Sequence, residues 1–219
     1  MNKVDEGYIS RQISVYKTSK KLIEFNDKLN IAPIASYAHI HAQADDMGGG
    51  KKLYSNIGVV LQDYTTGVGE KTVRVSANIS PDEAQFIFSR VQMGVDSFDF
   101  KQEKIFGAPD KNGKSIVTKL RVLRASTDSK GQTRDYPWYI EIENGAGVPV
   151  KNASGGIYCK GKSFISASKV YININDLDFF KLMNRVSQYI TAWETAVGPA
   201  LIKKGRLAME EKIKATKIG

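Results

Sequence analysis

Two stretches of seventeen residues in this chain follow one pattern, and that duplication limits the folds open to it. Residues 75–91 (VSANISPDEAQFIFSRV) align without a gap on residues 170–186 (VYININDLDFFKLMNRV), 95 positions later. Val75/Val170, Asn78/Asn173, Ile79/Ile174, Arg90/Arg185 and Val91/Val186 are identical pairs, and an acid falls in the first helical turn both times, as Glu83 and Asp178. Each copy has the grammar of an alternating strand, a capping residue and an amphipathic helix. A repeat of this kind makes each copy one supersecondary unit that completes its core against the other. The expectation is a unit of several antiparallel strands closed by one helix, present twice.

The stretches around the repeat read accordingly. Residues 8–29 carry Ile9, Ile13, Tyr16 and Ile23 at helical spacing with Lys and Arg between them, which predicts an N-terminal helix. Residues 35–43 alternate, with Tyr37, His39 and His41 on one side, and predict a strand. A loop, DDMGGG, leads to strands through residues 53–62 and 73–79. Ser80-Pro81-Asp82-Glu83 is a helix start with a capping box, and Gly94 is its stop. The second half gives strands at 97–106, 116–124, 137–143, 157–162 and 164–175. A change of apolar parity between Ile165 and Val170 predicts a bulge near residues 166–168. Asn175 or Asp176 caps the second repeat helix, Gly198-Pro199 breaks it, and a basic segment closes the chain.

The fold class expected is therefore α+β, a duplicated unit of antiparallel strands plus helix, with an extra N-terminal helix and a basic C-terminal helix. The division expected is an N-terminal extension at 1–30, one domain of two repeats at 31–198 (about 31–95 and 96–198), and a tail at 199–219. No linker rich in Pro or Ser separates the halves.

Charge is distributed unevenly. Residues 1–110 carry 13 Lys/Arg against 14 Asp/Glu, and residues 111–219 carry 19 against 9, within a total of +9. Such asymmetry points to a polyanion held by the second half, or to a face that is only solvated. The one cysteine, Cys159, excludes an internal disulfide framework and favours a reducing, cytoplasmic setting. No apolar run approaches the length of a membrane span.

Catalytic patterns are fragmentary. His39, His41, Asp45 and Asp46 place possible metal ligands near one another without a third and fourth ligand at a known spacing. GGGKK at 48–52 lacks the spacing and the Ser/Thr of a phosphate loop, and Cys159 has no His partner in sequence. No cofactor, no metal and no enzymatic activity are expected.

Nucleic-acid binding fits the residues better. Tyr158, Lys160, Lys162 and Phe164 alternate along one predicted strand face, mixing cations for phosphates with rings for bases. Lys119, Arg121 and Arg124 supply cations on a nearby strand. Arg74 and Lys169 stand one residue before the shared valine in the two copies. Lys52, Tyr54 and Tyr171 complete the candidate interface. There is no helix-turn-helix, zinc-finger or basic-zipper pattern for duplex reading.

Duplicated strands closed by a helix, and the Lys-Gly-Lys of residues 157–166 (IYCKGKSFIS), resemble the Whirly and PC4-like single-stranded-DNA-binding fold. In the plant Whirly proteins that segment belongs to the first repeat; here it stands in the second. The resemblance implies a non-enzymatic protein that binds single-stranded DNA, with RNA as the other candidate polymer. It also implies homo-oligomers formed through the repeat helices, which directs attention to Phe179, Phe180 and Met183. Residues 136–145 are similar to small proteins of phages and integrative elements, which implies a mobile-element setting in replication, recombination or transcription. The alternative is a protein–protein adaptor of such an element.

Overall fold

A computed structural model of the chain describes residues 10–43 and 46–218. Strands β1 (Gln12–Lys17) and β2 (Lys21–Lys28) form a hairpin where the spacing predicts a helix. The misreading has a physical cause. The register shifts between Gln12 and Ser14, and this bulge turns both Ile13 and Tyr16 toward the core, three residues apart as on a helix. Thr18 then closes the turn, its hydroxyl oxygen accepting the N–H groups of Lys20 and Lys21. Ile9 lies outside the described residues.

The chain next forms a 3-10 turn at Ile34–His39, where a strand is predicted, and two short strands, β3 (Met47–Gly48) and β4 (Lys51–Lys52). Strands β5 (Asn56–Asp63) and β6 (Val73–Ile79) complete an antiparallel sheet in the order β1-β2-β5-β6. Helix α1 (Pro81–Met93) follows, opened by the expected Ser80/Glu83 capping box and ended by Gly94 in the left-handed conformation.

The second unit repeats the plan. Strands β7 (Ser97–Phe106), β8 (Ser115–Ala125), β9 (Trp138–Gly147) and β12 (Ile165–Ile174) form the sheet β12-β9-β8-β7, all antiparallel, and a small hairpin of β10 (Pro149–Lys151) and β11 (Ile157–Cys159) is inserted before β12. The expected bulge falls between Ser166 and Ser168. Helix α2 (Asp176–Ile218) follows β12 as α1 follows β6. Four strands and a helix, twice, is the architecture the repeat and the Whirly resemblance imply. The first unit, however, begins with β1 and not at residue 31.

Both sheets turn their apolar faces to one core, closed by the helices. Paired repeat positions do the same work in each copy: Val75 and Val170, then Ile79 and Ile174, are all buried. Trp138 stands at the centre, its ring 4.6 Å from that of Phe179, its Nε1 donating to Asp176 Oδ1 at 2.7 Å. Asn175 is the cap of α2: its Oδ1 accepts the N–H of Asp178, and its Nδ2 donates to the Asp178 carboxylate.

α2 does not break at Gly198-Pro199. An interior proline removes one helix hydrogen bond and disfavours the preceding turn, yet the helix continues because its later turns are packed. Ile40 lies against Gly198 and Tyr37 against Gly205, where any side chain would meet them, and Leu201 is buried beside them. His41, expected on a strand face, stacks on Trp193 with ring centroids 4.6 Å apart. Its ring nitrogens lie 2.8 Å from Ser55 Oγ and 3.0 Å from Glu194 Oε1. No helix among the described residues is long and apolar enough to cross a membrane.

Candidate nucleic-acid interface

The outward face of the second sheet holds Lys119, Arg121, Lys169 and Tyr171, as the alternation predicts, but its cations are matched by carboxylates. Arg121 forks onto Asp99 at 2.8 and 3.0 Å, and Lys101 joins the same carboxylate at 2.8 Å. Lys119 lies 3.4 Å from Glu103, and Lys169 lies 2.8 Å from Glu141. Glu143 stands in register with both Lys119 and Lys169, so four cations face four carboxylates. The Arg121 bonds draw the Asp99 carboxyl down to about 2, and the Glu141 bond raises Lys169 above the ordinary ammonium value. These are cross-strand pairs that hold a sheet surface together. They leave little net charge for phosphates.

The rings on this face are engaged too. Tyr171 stacks on Tyr139 at 5.3 Å and carries Lys21 Nζ 3.7 Å above its centroid, while the same ammonium donates to the Tyr171 carbonyl at the free edge of β12. Phe164 lies beneath Lys119 Nζ, 3.9 Å from its ring centroid.

Two expected site features are corrected. Arg124 is on the inward face of β8, beside Leu120 and Val122. It is buried, forks onto Asp176 at 3.1 and 3.0 Å and donates to the Val95 carbonyl, so it anchors the start of α2 and is absent from any outward face. The four residues Tyr158, Lys160, Lys162 and Phe164 do not alternate on one strand. β11 ends at Cys159, and Lys160 to Phe164 turn the chain into β12 with Lys162 at φ 63°. Lys160 and Lys162 are exposed at this turn, Tyr158 is exposed on the hairpin, and neither lysine is in an ion pair among the described residues.

The outward face of the first sheet is different. It is a concavity of about 870 Å³ whose cationic wall is Arg11, Lys28 and Arg74. Lys28 lies flat over Gly58, where a β-carbon would come within 2.9 Å of its Cε, and its Nζ reaches Asn78 Oδ1 at 2.9 Å. Burial and the neighbouring charges of Arg74 and Arg11 lower the Lys28 pKa, the mark of cations held close together. The two carboxylates in the concavity are occupied. Glu24 accepts from Gln12 Nε2 at 2.7 Å and Asn26 Nδ2 at 3.2 Å, with Arg74 at 3.7 Å. Asp27 accepts from the Leu29 N–H and the Tyr189 hydroxyl, both at 2.8 Å.

Arg74 is the one expected site residue in this trough, while Tyr54 borders the neighbouring concavity and Lys52 is exposed on β4. Arg11 and Lys28 escape the sequence reading because a helix at 8–29 scatters them. A hairpin puts Glu24, Asn26 and Lys28 on one face, two residues apart. The half of the chain with almost no net charge thus holds the cationic concavity, while the outward cations of the second sheet are matched by carboxylates.

No protein-family model matches the chain, and no curated protein matches it. Two solved structures align with it over most of their length. The plant transcriptional regulator PBF-2 aligns over 89% of this chain and 96% of its own, with a TM-score of 0.46 and 14% identity. WHY1 from Arabidopsis thaliana aligns over 97% and 95%, with a TM-score of 0.41 and 13% identity. At these values neither alignment gives any residue a role, and the candidate interface rests on the geometry of the trough.

Proposed function

We propose that this protein binds single-stranded nucleic acid, DNA in the first instance, without chemistry of its own. The observation that carries the reading is the trough on the first sheet: three clustered cations, a floor of strand residues, and two carboxylates, Glu24 shared with Arg74 and Asp27 bonded to Tyr189. Cations on a concave sheet hold a phosphate backbone and read no bases, so little sequence preference is expected. Lys52, Lys160 and Lys162 offer further exposed positive charge. Strands opened in replication, recombination or transcription are the substrates such a surface suits. Ser55, His41 and Glu194 are the residue types of a hydrolytic relay, but they support no enzyme reading: Ser55 is buried, and its oxygen accepts the Asn30 N–H.

Fluorescence anisotropy with single-stranded DNA, single-stranded RNA and duplex across a salt series tests the proposal. Tight single-strand binding that weakens steeply with salt is expected, with log K falling by about 0.7 per decade of salt for each phosphate neutralised. No binding at low salt, or equal binding to duplex, refutes it.

Assembly through the helices is the second part of the proposal. Phe179 and Met183 are core residues and unavailable to a neighbour, but Phe86, Met93, Leu177 and Phe180 are exposed on α1 and α2. Sedimentation of Leu177→Glu with Phe180→Glu beside the unaltered protein checks this: loss of an oligomer supports it, and a monomer in both refutes it.

A further inference from the structure

The trough continues past Lys28. Arg11, Asp27 and Lys28 also border a second concavity of about 470 Å³ that reaches Tyr54, and Tyr54 borders a third of about 430 Å³. The walls of that third space include Phe106, Pro149, Val150 and Ile157, with Lys151 among the residues around it. Asn78 bridges the two sheets along this route: its side chain accepts from Lys28 and its carbonyl accepts from Lys104, two residues before Phe106. Polar at one end, the path becomes apolar at the other, where Tyr54 is 45% exposed and Phe106 is 50% exposed.

We infer that this third concavity receives an unstacked nucleobase of the strand whose phosphates lie along the trough. The inference rests on the binding reading above and adds where a base goes. Three features select the occupant. The pocket shares Tyr54 with the concavity that follows the cationic groove, so a ligand spanning both is anionic along one stretch and flat and apolar at another. Its volume lies within the range of small-molecule sites, room for a base and not for a protein helix. Its walls offer aromatic faces, and base stacking on such rings tolerates any sequence because every base has a π-face. Tyr54 stands where phosphate trough and base pocket meet.

The test separates this pocket from the trough by comparing oligothymidylate with an abasic strand of equal length, which keeps the phosphates and lacks the bases. The variant Tyr54→Ala with Phe106→Ala is expected to lose about tenfold or more in affinity for oligothymidylate, while its affinity for the abasic strand is unchanged. Equal loss on both strands, or no loss on oligothymidylate, overturns the inference and leaves the trough standing. A wild-type protein that binds neither strand at low salt overturns the binding reading itself. If the variant stops an oligomer from forming and strand affinities do not move, the pocket is a contact between copies and the inference fails. Should the variant not fold, as read by its circular dichroism melt, cross-linking of thiothymidine-bearing strands to the unaltered protein decides. Adducts at Tyr54 or Phe106 support the pocket, and adducts confined to the outward residues of the second sheet around Lys119, Arg121 and Lys169 overturn it.

Discussion

The side-chain amide of Asn144 on β9 pairs with both backbone polar groups of Ser76 on β6, accepting the N–H at 2.9 Å and donating to the C=O at 2.9 Å. β6 is the edge of the first sheet, and a strand edge presents unpaired N–H and C=O groups. Asn144 therefore fills the place of a neighbouring strand for one residue. It also donates to Thr118 Oγ1 on β8, so the junction between the sheets is fixed to the second sheet's interior. Lys21 does the reciprocal work at the β12 edge through the Tyr171 carbonyl.

Asn144→Leu should consequently be destabilising. It removes the partner of the Ser76 N–H and C=O, both open to water, at a cost of about 1 kcal/mol. Asn144→Asp keeps the acceptor for the N–H and loses the donor, and should fall between leucine and the native residue. Urea denaturation of the three proteins gives the order, and equal midpoints would show that water replaces the amide.

How far the fold is legible in the sequence turns on a few residues. The repeat, the Ser80 cap and the bulge at residues 166–168 are local signals, and each appears where the residues place it. Ile13 and Tyr16 mislead because a bulge in a hairpin copies the spacing of a helix. Pro199 misleads because the packing that overrides it comes from Tyr37 and Ile40, more than 150 positions earlier. The interface is harder to read than the fold. Lys119, Arg121 and Lys169 are placed on the correct face, but their value as phosphate ligands depends on the acids across the strand, and register is not visible in composition. Arg11 and Lys28 need the hairpin before they can be seen as neighbours.

That difference yields a contrast between charge reversals. Arg74→Glu and Lys28→Glu remove charge from the trough and should each weaken single-strand binding several-fold or more, with the salt slope reduced by about 0.7 per lost contact. Lys169→Glu faces Glu141 and Glu143 instead. It should lower the melting temperature through like-charge repulsion on adjacent strands and change affinity little. Anisotropy and melting curves on the same three proteins check the contrast, and an affinity loss confined to Lys169→Glu would move the interface to the second sheet.

His41 ties the 3-10 segment to α2 by stacking on Trp193 and by bonds to Ser55 and Glu194. His41→Phe preserves the stack and removes both bonds, at about 1–2 kcal/mol. His41→Ala removes the ring as well and should cost about 1 kcal/mol more. Amide exchange in the turns of α2 around Leu201 is expected to quicken in both variants while exchange in β5 and β9 stays slow. Uniform quickening would mean that the clamp belongs to the global fold and not to that segment.

The Arg124–Asp176 fork predicts an acid-sensitive step. The Arg124 bonds hold the Asp176 carboxyl below its ordinary range, and the Trp138 N–H adds to the effect. A carboxylate depressed on folding stabilises the fold above its unfolded pKa, about 3.9, and that stability is lost as pH falls through the lower folded value. Asp176→Asn removes the charge that Arg124 faces and leaves it the Val95 carbonyl; with the Asp176 side chain partly open to solvent, this should cost about 1 kcal/mol at neutral pH. The gap between variant and native protein should be constant from neutrality down to about pH 4 and close below it. Parallel melting curves through that acid range would show that the fork titrates alike in the folded and unfolded chain, and the assigned role of Asp176 would be wrong.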